Sequence, residues 1–117
     1  AIDLVVPVPL HPAKQLARSY NQAALLAATQ ARRLGLEMRA DRLRRVRPTA
    51  SQTRLGAAAR RVNVRAAFEA PRPAWVRGRT ILLVDDIMTT GATLHEAAAT
   101  LKRAGAWRVW AVTVARG

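Results

Sequence analysis

Residues 81–93, ILLVDDIMTTGAT, run from an apolar stretch through two adjacent acids into a short hydroxyl-rich loop with one glycine, and then into a helix-forming segment. Two carboxylates about 5 Å apart repel by roughly 3 kcal/mol at an effective dielectric near 20, so Asp85 and Asp86 require cations or hydrogen-bond donors beside them. Magnesium or ribose hydroxyls would serve. Thr89, Thr90, Gly91, Ala92 and Thr93 offer hydroxyls, backbone N–H groups at a helix N-terminus, and a glycine where the backbone must come close. That combination favours a phosphate dianion. Acids for sugar hydroxyls or metal, a few residues before a phosphate cradle, together describe a sugar phosphate. Each half also has an ordinary structural reading: strand-end acids capping backbone, and Thr93 with Glu96 as a capping box.

These residues need a strand to carry the acids and a helix to present the cradle. Thr80 to Val84 is the strongest strand signal in the chain, introduced by Gly78. Leu94, Ala97, Ala98 and Leu101 fall at i, i+3, i+4 and i+7, with Lys102 and Arg103 in the last turn and Gly105 just past it. Arg108 to Ala115 then reads as another strand, so the end of the chain is a βαβ unit with parallel strands. In such sheets ligands bind beyond the carboxyl ends of strands, where Asp85 and Asp86 emerge. Upstream, Ile2 to Val8 reads as a buried strand leaving through Pro9 and Pro12. Ser19 and Gln22 have capping-box spacing for a helix ending at Gly35, with Leu25, Leu26, Thr29 and Leu34 as its inner side. Between Leu36 and Arg61 periodicity fails, apart from a brief strand near Leu43 and a helical turn near Ala57 to Ala59. The fold class expected is α/β, a parallel sheet flanked by helices on both faces.

The 117 residues suffice for one domain with a single core. Alanine contributes 25 of them and aromatics only five, so the core is made of close-packed small side chains around Leu and Val clusters. With no cysteine, a disulfide scaffold, a thiolate zinc site and a cysteine nucleophile are excluded. No apolar run approaches the roughly 18 residues of a membrane span, and a soluble, cytoplasmic protein is expected. The start at Ala1, directly before a strand and without an initiator methionine, suggests a fragment lacking N-terminal elements. The net charge of +13 is regional: eleven arginines face Glu37 and Asp41 between Arg32 and Arg65. That excess admits a nucleic-acid partner as well as a plain solvated surface. A strand ending in acids also resembles the magnesium strand of P-loop ATPases, but the chain has no G-x-x-x-x-G-K-[ST].

The decapeptide VDDIMTTGAT, Val84 to Thr93, resembles the phosphoribosyl pyrophosphate (PRPP) motif of type I phosphoribosyltransferases. More of the chain resembles the ComF-type branch, linked to competence for DNA uptake. The shared features are VPVPLHP at Val6 to Pro12, R-x-x-N-Q at Arg18 to Gln22, LRRVRPTASQ at Leu43 to Gln52 and NV-x-x-AF at Asn63 to Phe68. The resemblance implies that Asp85 and Asp86 bind the ribose hydroxyls directly or through Mg2+, and that Thr89 to Thr93 hold the 5-phosphate. It also implies that Pro9, Leu10 and His11 belong to the pyrophosphate loop, and that a mobile basic segment of about 44–61, with Arg44 and Arg47, closes over pyrophosphate. The implied reaction displaces pyrophosphate from C1 of PRPP by a small-molecule nitrogen nucleophile. Ser19 and Tyr20 stand where related sequences often show Gly-Phe. The nucleophile of a glutamine amidotransferase is missing, which excludes an intact glutamine-dependent enzyme.

Three functions stay open on the sequence: a magnesium-dependent transferase, a DNA-uptake accessory or single-stranded DNA binder with an inactive pocket, and a PRPP sensor. A homodimer is compatible with each. His11 could act near neutral pH, whereas His95, in the first turn of a helix, is the weaker candidate. Trp75, Trp107 and Trp110 read as core or interface packing rather than base-stacking groups. Gln52 and Arg60 join Arg44 and Arg47 as candidates in the basic segment.

Overall fold

A computed structural model describes residues 1–9, 22–46, 67–86 and 91–114. Strand β1 (Leu4–Pro7) precedes helix α1 (Gln22–Leu34), a 3-10 turn at Ala40–Arg42 and the two-residue strand β2 (Arg44–Arg45). Then come β3 (Phe68–Glu69), a second 3-10 turn at Pro73–Trp75, β4 (Thr80–Asp86), α2 (Gly91–Arg103) and β5 (Arg108–Val114). Strands β1, β4 and β5 form a parallel sheet in the order β1-β4-β5, and β2 and β3 form a separate antiparallel ribbon.

The sheet is apolar on both faces, as parallel strands covered by helices require. Leu4, Val6, Ile81 and Leu83 point to one side, where Ala97 and Leu101 of α2 and Leu43 and Phe68 of the ribbon meet them. Val5, Leu82 and Val84 point to the other, against Ala27 and Ala31 of α1. Helices therefore lie on opposite faces of a parallel sheet, as the sequence predicts. No described helix is long and apolar enough to cross a membrane.

Both helices end as their glycines predict. Leu36 N–H donates to the Ala31 carbonyl (2.9 Å) and Ala106 N–H to the Leu101 carbonyl (3.1 Å), each around a glycine with positive φ. At Gly105 a Cβ would also meet Arg77 Cγ at 3.3 Å, so this turn demands both the backbone freedom and the missing side chain.

Two expectations about packing are corrected. Leu25 and Leu34 are not on the inner side of α1: Leu25 is 54% exposed, and Ala23, Ala27 and Ala31 are buried instead. Alanines at i, i+4 and i+8 give the helix a flat stripe on which it approaches the sheet closely, which leucines at those places would prevent. Of the core or interface packing expected for the tryptophans, the core alternative is removed, since Trp75, Trp107 and Trp110 are all exposed. Trp110 sits opposite Leu82 on β5, on the face that α1 covers only over β1 and β4.

Candidate functional site

The strand order sets the site. Because β1 and β4 are parallel neighbours in register, Pro7 opposite Val84, their carboxyl ends open side by side. The ladder extends one residue further, with Val8 N–H donating to the Val84 carbonyl at 2.9 Å. Pro9 therefore leaves the sheet beside the acids that end β4. Gly91, Ala92 and Thr93 form the first turn of α2, where backbone N–H groups have no intrahelical acceptor. Pro9, far away in the chain, thus shares one edge of the sheet with the acid pair and the helix turn, the edge at which parallel α/β folds bind ligands.

Asp85 and Asp86 end β4 as strand residues, paired with Thr113 and Val114 of β5. They are buried, at 3% and 6% exposure, rather than standing out at the strand's exit. Asp85 Oδ1 accepts the backbone N–H of Asp86 at 2.8 Å, so part of its charge is met by the chain itself. Adjacent strand residues leave on opposite faces, and a shared two-carboxylate chelate is not built into this arrangement.

The donor set still fits a magnesium site of the kind that substrate completes. Mg2+ is commonly held by one or two carboxylates, with phosphate oxygens and water filling the octahedron. The described residues contain no cluster of three or more His, Cys, Asp or Glu that could enclose an ion without substrate. Gly91 fits the phosphate cradle for a related reason. Its backbone is not left-handed, and no heavy atom of the described residues lies within 4 Å of where a Cβ would be. Thr93 is buried within the first turn, and Glu96 ion-pairs with Arg103 at 2.7 Å rather than reaching back to close a capping box.

Arg44 is exposed and ion-paired with Glu69 across the β2–β3 ribbon. The start of the supposed mobile segment is thus a strand pair, and Arg44 already has a carboxylate partner. Leu10, His11, Arg47, Gln52, Arg60, Thr89 and Thr90 lie outside the described residues. His95 lies exposed in the first turns of α2.

Sequence reasoning missed Arg45. It is 7% exposed, its guanidinium carbon lies 4.8 Å from the Phe68 ring centroid, and its Nε has no hydrogen-bond partner among the described residues. Burial pushes this guanidinium below its ordinary pKa, and the negative charge of Asp85 opposes that shift. The available signal was the alternation of Leu43, Arg44 and Arg45 beside a two-residue strand, too short to show a period. Trp75, which the sequence singled out, is exposed at 40% and carries the guanidinium carbons of Arg42 and Arg72 at 4.2 and 4.8 Å from its ring centroid.

Comparison with known proteins agrees with this geometry. A family model described as a phosphoribosyl transferase domain matches residues 21–117. The "DNA utilization protein YhgH" of Escherichia coli strain K12 is 38% identical over 104 residues, covering 89% of this chain and 45% of that protein. The "Competence protein F" of Haemophilus influenzae is also 38% identical over 104 residues, covering 88% of this chain and 45% of that protein. The chain thus spans about half the length of the curated relatives it matches. Among solved structures, the allosteric regulatory enzyme of purine biosynthesis superposes with a TM-score of 0.62 at 25% identity, over 97% of this chain and 22% of the enzyme. The glutamine PRPP amidotransferase of B. subtilis superposes with a TM-score of 0.61 at 24% identity, over the same shares.

Proposed function

The chain belongs to the phosphoribosyl transferase family, in its ComF-type branch, and on that premise we propose that it binds PRPP with Mg2+ and transfers the phosphoribosyl group to a small-molecule nitrogen nucleophile. The observation that carries this reading is the meeting of Pro9, the Asp85–Asp86 pair and the first turn of α2 at one edge of the parallel sheet. In the reaction, nitrogen attacks C1 of the ribose, the bond from C1 to the pyrophosphate oxygen breaks, and pyrophosphate leaves with the electron pair while nitrogen loses a proton. Little covalent chemistry falls to the protein, whose task is positioning and charge stabilisation.

Asp86 and Asp85 would accept hydrogen bonds from the ribose hydroxyls and hold the sugar against the sheet edge. Gly91, Ala92 and Thr93 would direct N–H groups at the 5-phosphate, with Thr89 and Thr90 completing the loop. Pro9, Leu10 and His11 would line the pyrophosphate side, with Arg47 and Arg44 as the nearby cations, Arg44 after release from Glu69. Mg2+, when bound, would neutralise charge on the leaving pyrophosphate. The test is release of pyrophosphate from PRPP in the presence of a panel of amines, amides and nucleobases. Acceptor-dependent release supports a transferase, and PRPP binding without release would leave a sensor.

A second reading, contact with single-stranded nucleic acid, is favoured by the exposed Trp75 with the guanidinium groups of Arg42 and Arg72 beside it. Basic side chains interleaved with an aromatic face suit stacked bases and phosphates. The names of the relatives, a DNA utilization protein and a competence protein, point the same way. Oligonucleotide binding that weakens steeply with salt and is lost in Trp75→Ala supports this reading, and salt-independent or absent binding removes it.

A further inference from the structure

The amino-terminal edge of the sheet, at the far end of the strands from Asp85 and Asp86, is a second surface with a chemistry of its own. Two turns meet there: residues 72–79, which lead into β4, and residues 104–107, which join α2 to β5. Backbone hydrogen bonds stitch them together, Gly78 N–H donating to the Gly105 carbonyl at 2.9 Å and Trp107 N–H to the Arg79 carbonyl at 2.8 Å. Val76 and Ala106 are buried beneath them in one core cluster, so this edge is anchored to the fold.

Arg72, Arg77, Arg79, Lys102 and Arg108 are exposed on these turns and their flanks, and none ion-pairs with a carboxylate among the described residues. The acids beside them are already engaged. Asp3 Oδ2 accepts the Thr80 N–H at 2.8 Å, and Asp41 holds Arg42. Each tryptophan of the chain is exposed next to a cation: Trp107, at 68% exposure, has Lys102 Nζ donating to its carbonyl at 2.9 Å, and Trp110 has the Arg108 guanidinium carbon 6.0 Å from its ring centroid. Trp75 lies in the same 72–79 turn with Arg42 and Arg72 on its ring. Uncompensated cations call for a polyanion, and aromatic rings set among them suit a strand whose bases are free to stack. A lipid surface would instead require a continuous apolar face, which the cations interrupt here.

We propose that the amino-terminal edge of the sheet is a surface for single-stranded nucleic acid, separate from the sugar-phosphate edge, so that one chain holds a strand and PRPP together. The proposal rests on the nucleic-acid reading of Trp75 and extends it to Arg77, Arg79, Trp107 and Arg108. The seven residues of β4, rising about 3.3 Å each, keep the two edges about 20 Å apart. The two functional readings then describe opposite ends of one sheet and do not compete.

The test is fluorescence anisotropy of a labelled oligo(dT) with wild type, the Arg77→Gln/Arg79→Gln double variant, Trp107→Ala and Trp107→Phe, each shown to be folded by circular dichroism. All four positions are exposed, so the substitutions leave the core intact. At one fixed salt concentration the double variant should bind at least tenfold more weakly and Trp107→Ala at least fivefold, with Trp107→Phe recovering most of the loss. Each phosphate neutralised on a single strand adds about 0.7 to the salt slope, so the double variant should lower the slope by about 1.4. Unchanged affinity in either the double variant or Trp107→Ala overturns this surface and leaves the reading of Trp75 standing, whereas absence of binding to wild type overturns both. The oligonucleotide series decides the surface whether or not PRPP binds. Saturating PRPP with Mg2+ should leave oligonucleotide affinity within twofold, and displacement by PRPP would overturn the separation of the two edges. Phosphatidylglycerol vesicles that bind wild type and not the double variant, with no oligonucleotide bound, would assign the surface to lipid and overturn the proposal.

Discussion

Replacing Ala27 by leucine tests the packing that holds the site-bearing sheet. Ala27 is fully buried, and with Ala31 it lies directly against Val5, Leu82 and Val84. Leucine adds three carbons, whose burial would be worth roughly 0.8 kcal/mol each if space existed. None does on a stripe of alanines, so the helix must lift from the sheet or the side chain must leave its rotamer, at a net cost of about 1–3 kcal/mol. For a chain of this size that lowers Tm by about 3–12 °C. Leu25→Ala removes a larger side chain from the same helix but from a half-exposed position, and should change stability by no more than about 0.5 kcal/mol. Both variants can be followed by thermal unfolding with far-ultraviolet circular dichroism, scanned side by side. A neutral Ala27→Leu beside a Leu25→Ala that loses 2 kcal/mol or more would show that α1 is rotated from the orientation described here.

Gly91→Ala should leave Tm within a degree or two of wild type, because no described residue occupies the space above Gly91, yet weaken PRPP binding tenfold or more in calorimetry. Gly105→Ala should destabilise by about 1–3 kcal/mol in urea unfolding, since it combines a positive φ with a 3.3 Å approach to Arg77. Leu83→Ala, at a fully buried position in the middle of β4, should cost about 2–5 kcal/mol by the same measurement. Asp3→Ala removes the acceptor that fastens the start of β4 to β1 and should cost about 0.5–1.5 kcal/mol, read in the same urea series.

The elements with strong periodicity or clear stops were legible in the sequence: α2 from its i, i+3, i+4, i+7 residues, both helix ends from Gly35 and Gly105, and β4 from its apolar run. The parallel β4-β5 pair was legible from its one-helix crossover, whereas the pairing of β1 with β4, which brings Pro9 beside Asp85 and Asp86 although 76 or more residues separate them, was not. The inner face of α1 was not legible, because a hydrophobicity reading favours leucine while close helix–sheet contact favours alanine. For the tryptophans, read as core or interface packing, only exposure in the fold removes the core alternative, and Trp75 lies against two guanidinium groups. Arg45 was hidden among eleven arginines, the alternation around it being too short to mark it. Its burial depends on a ribbon between Arg44–Arg45 and Phe68–Glu69, a pairing across more than twenty residues that no local pattern announces.

The central claim is that the sheet edge at Asp86 and the first turn of α2 receive PRPP. Calorimetric titration of PRPP into the protein with Mg2+, on wild type and Asp86→Asn in parallel, tests it most directly. The account predicts saturable one-site binding to wild type and a loss of at least tenfold in Asp86→Asn, with both proteins folded. Absence of binding to wild type, or equal affinity in the two proteins, would contradict it.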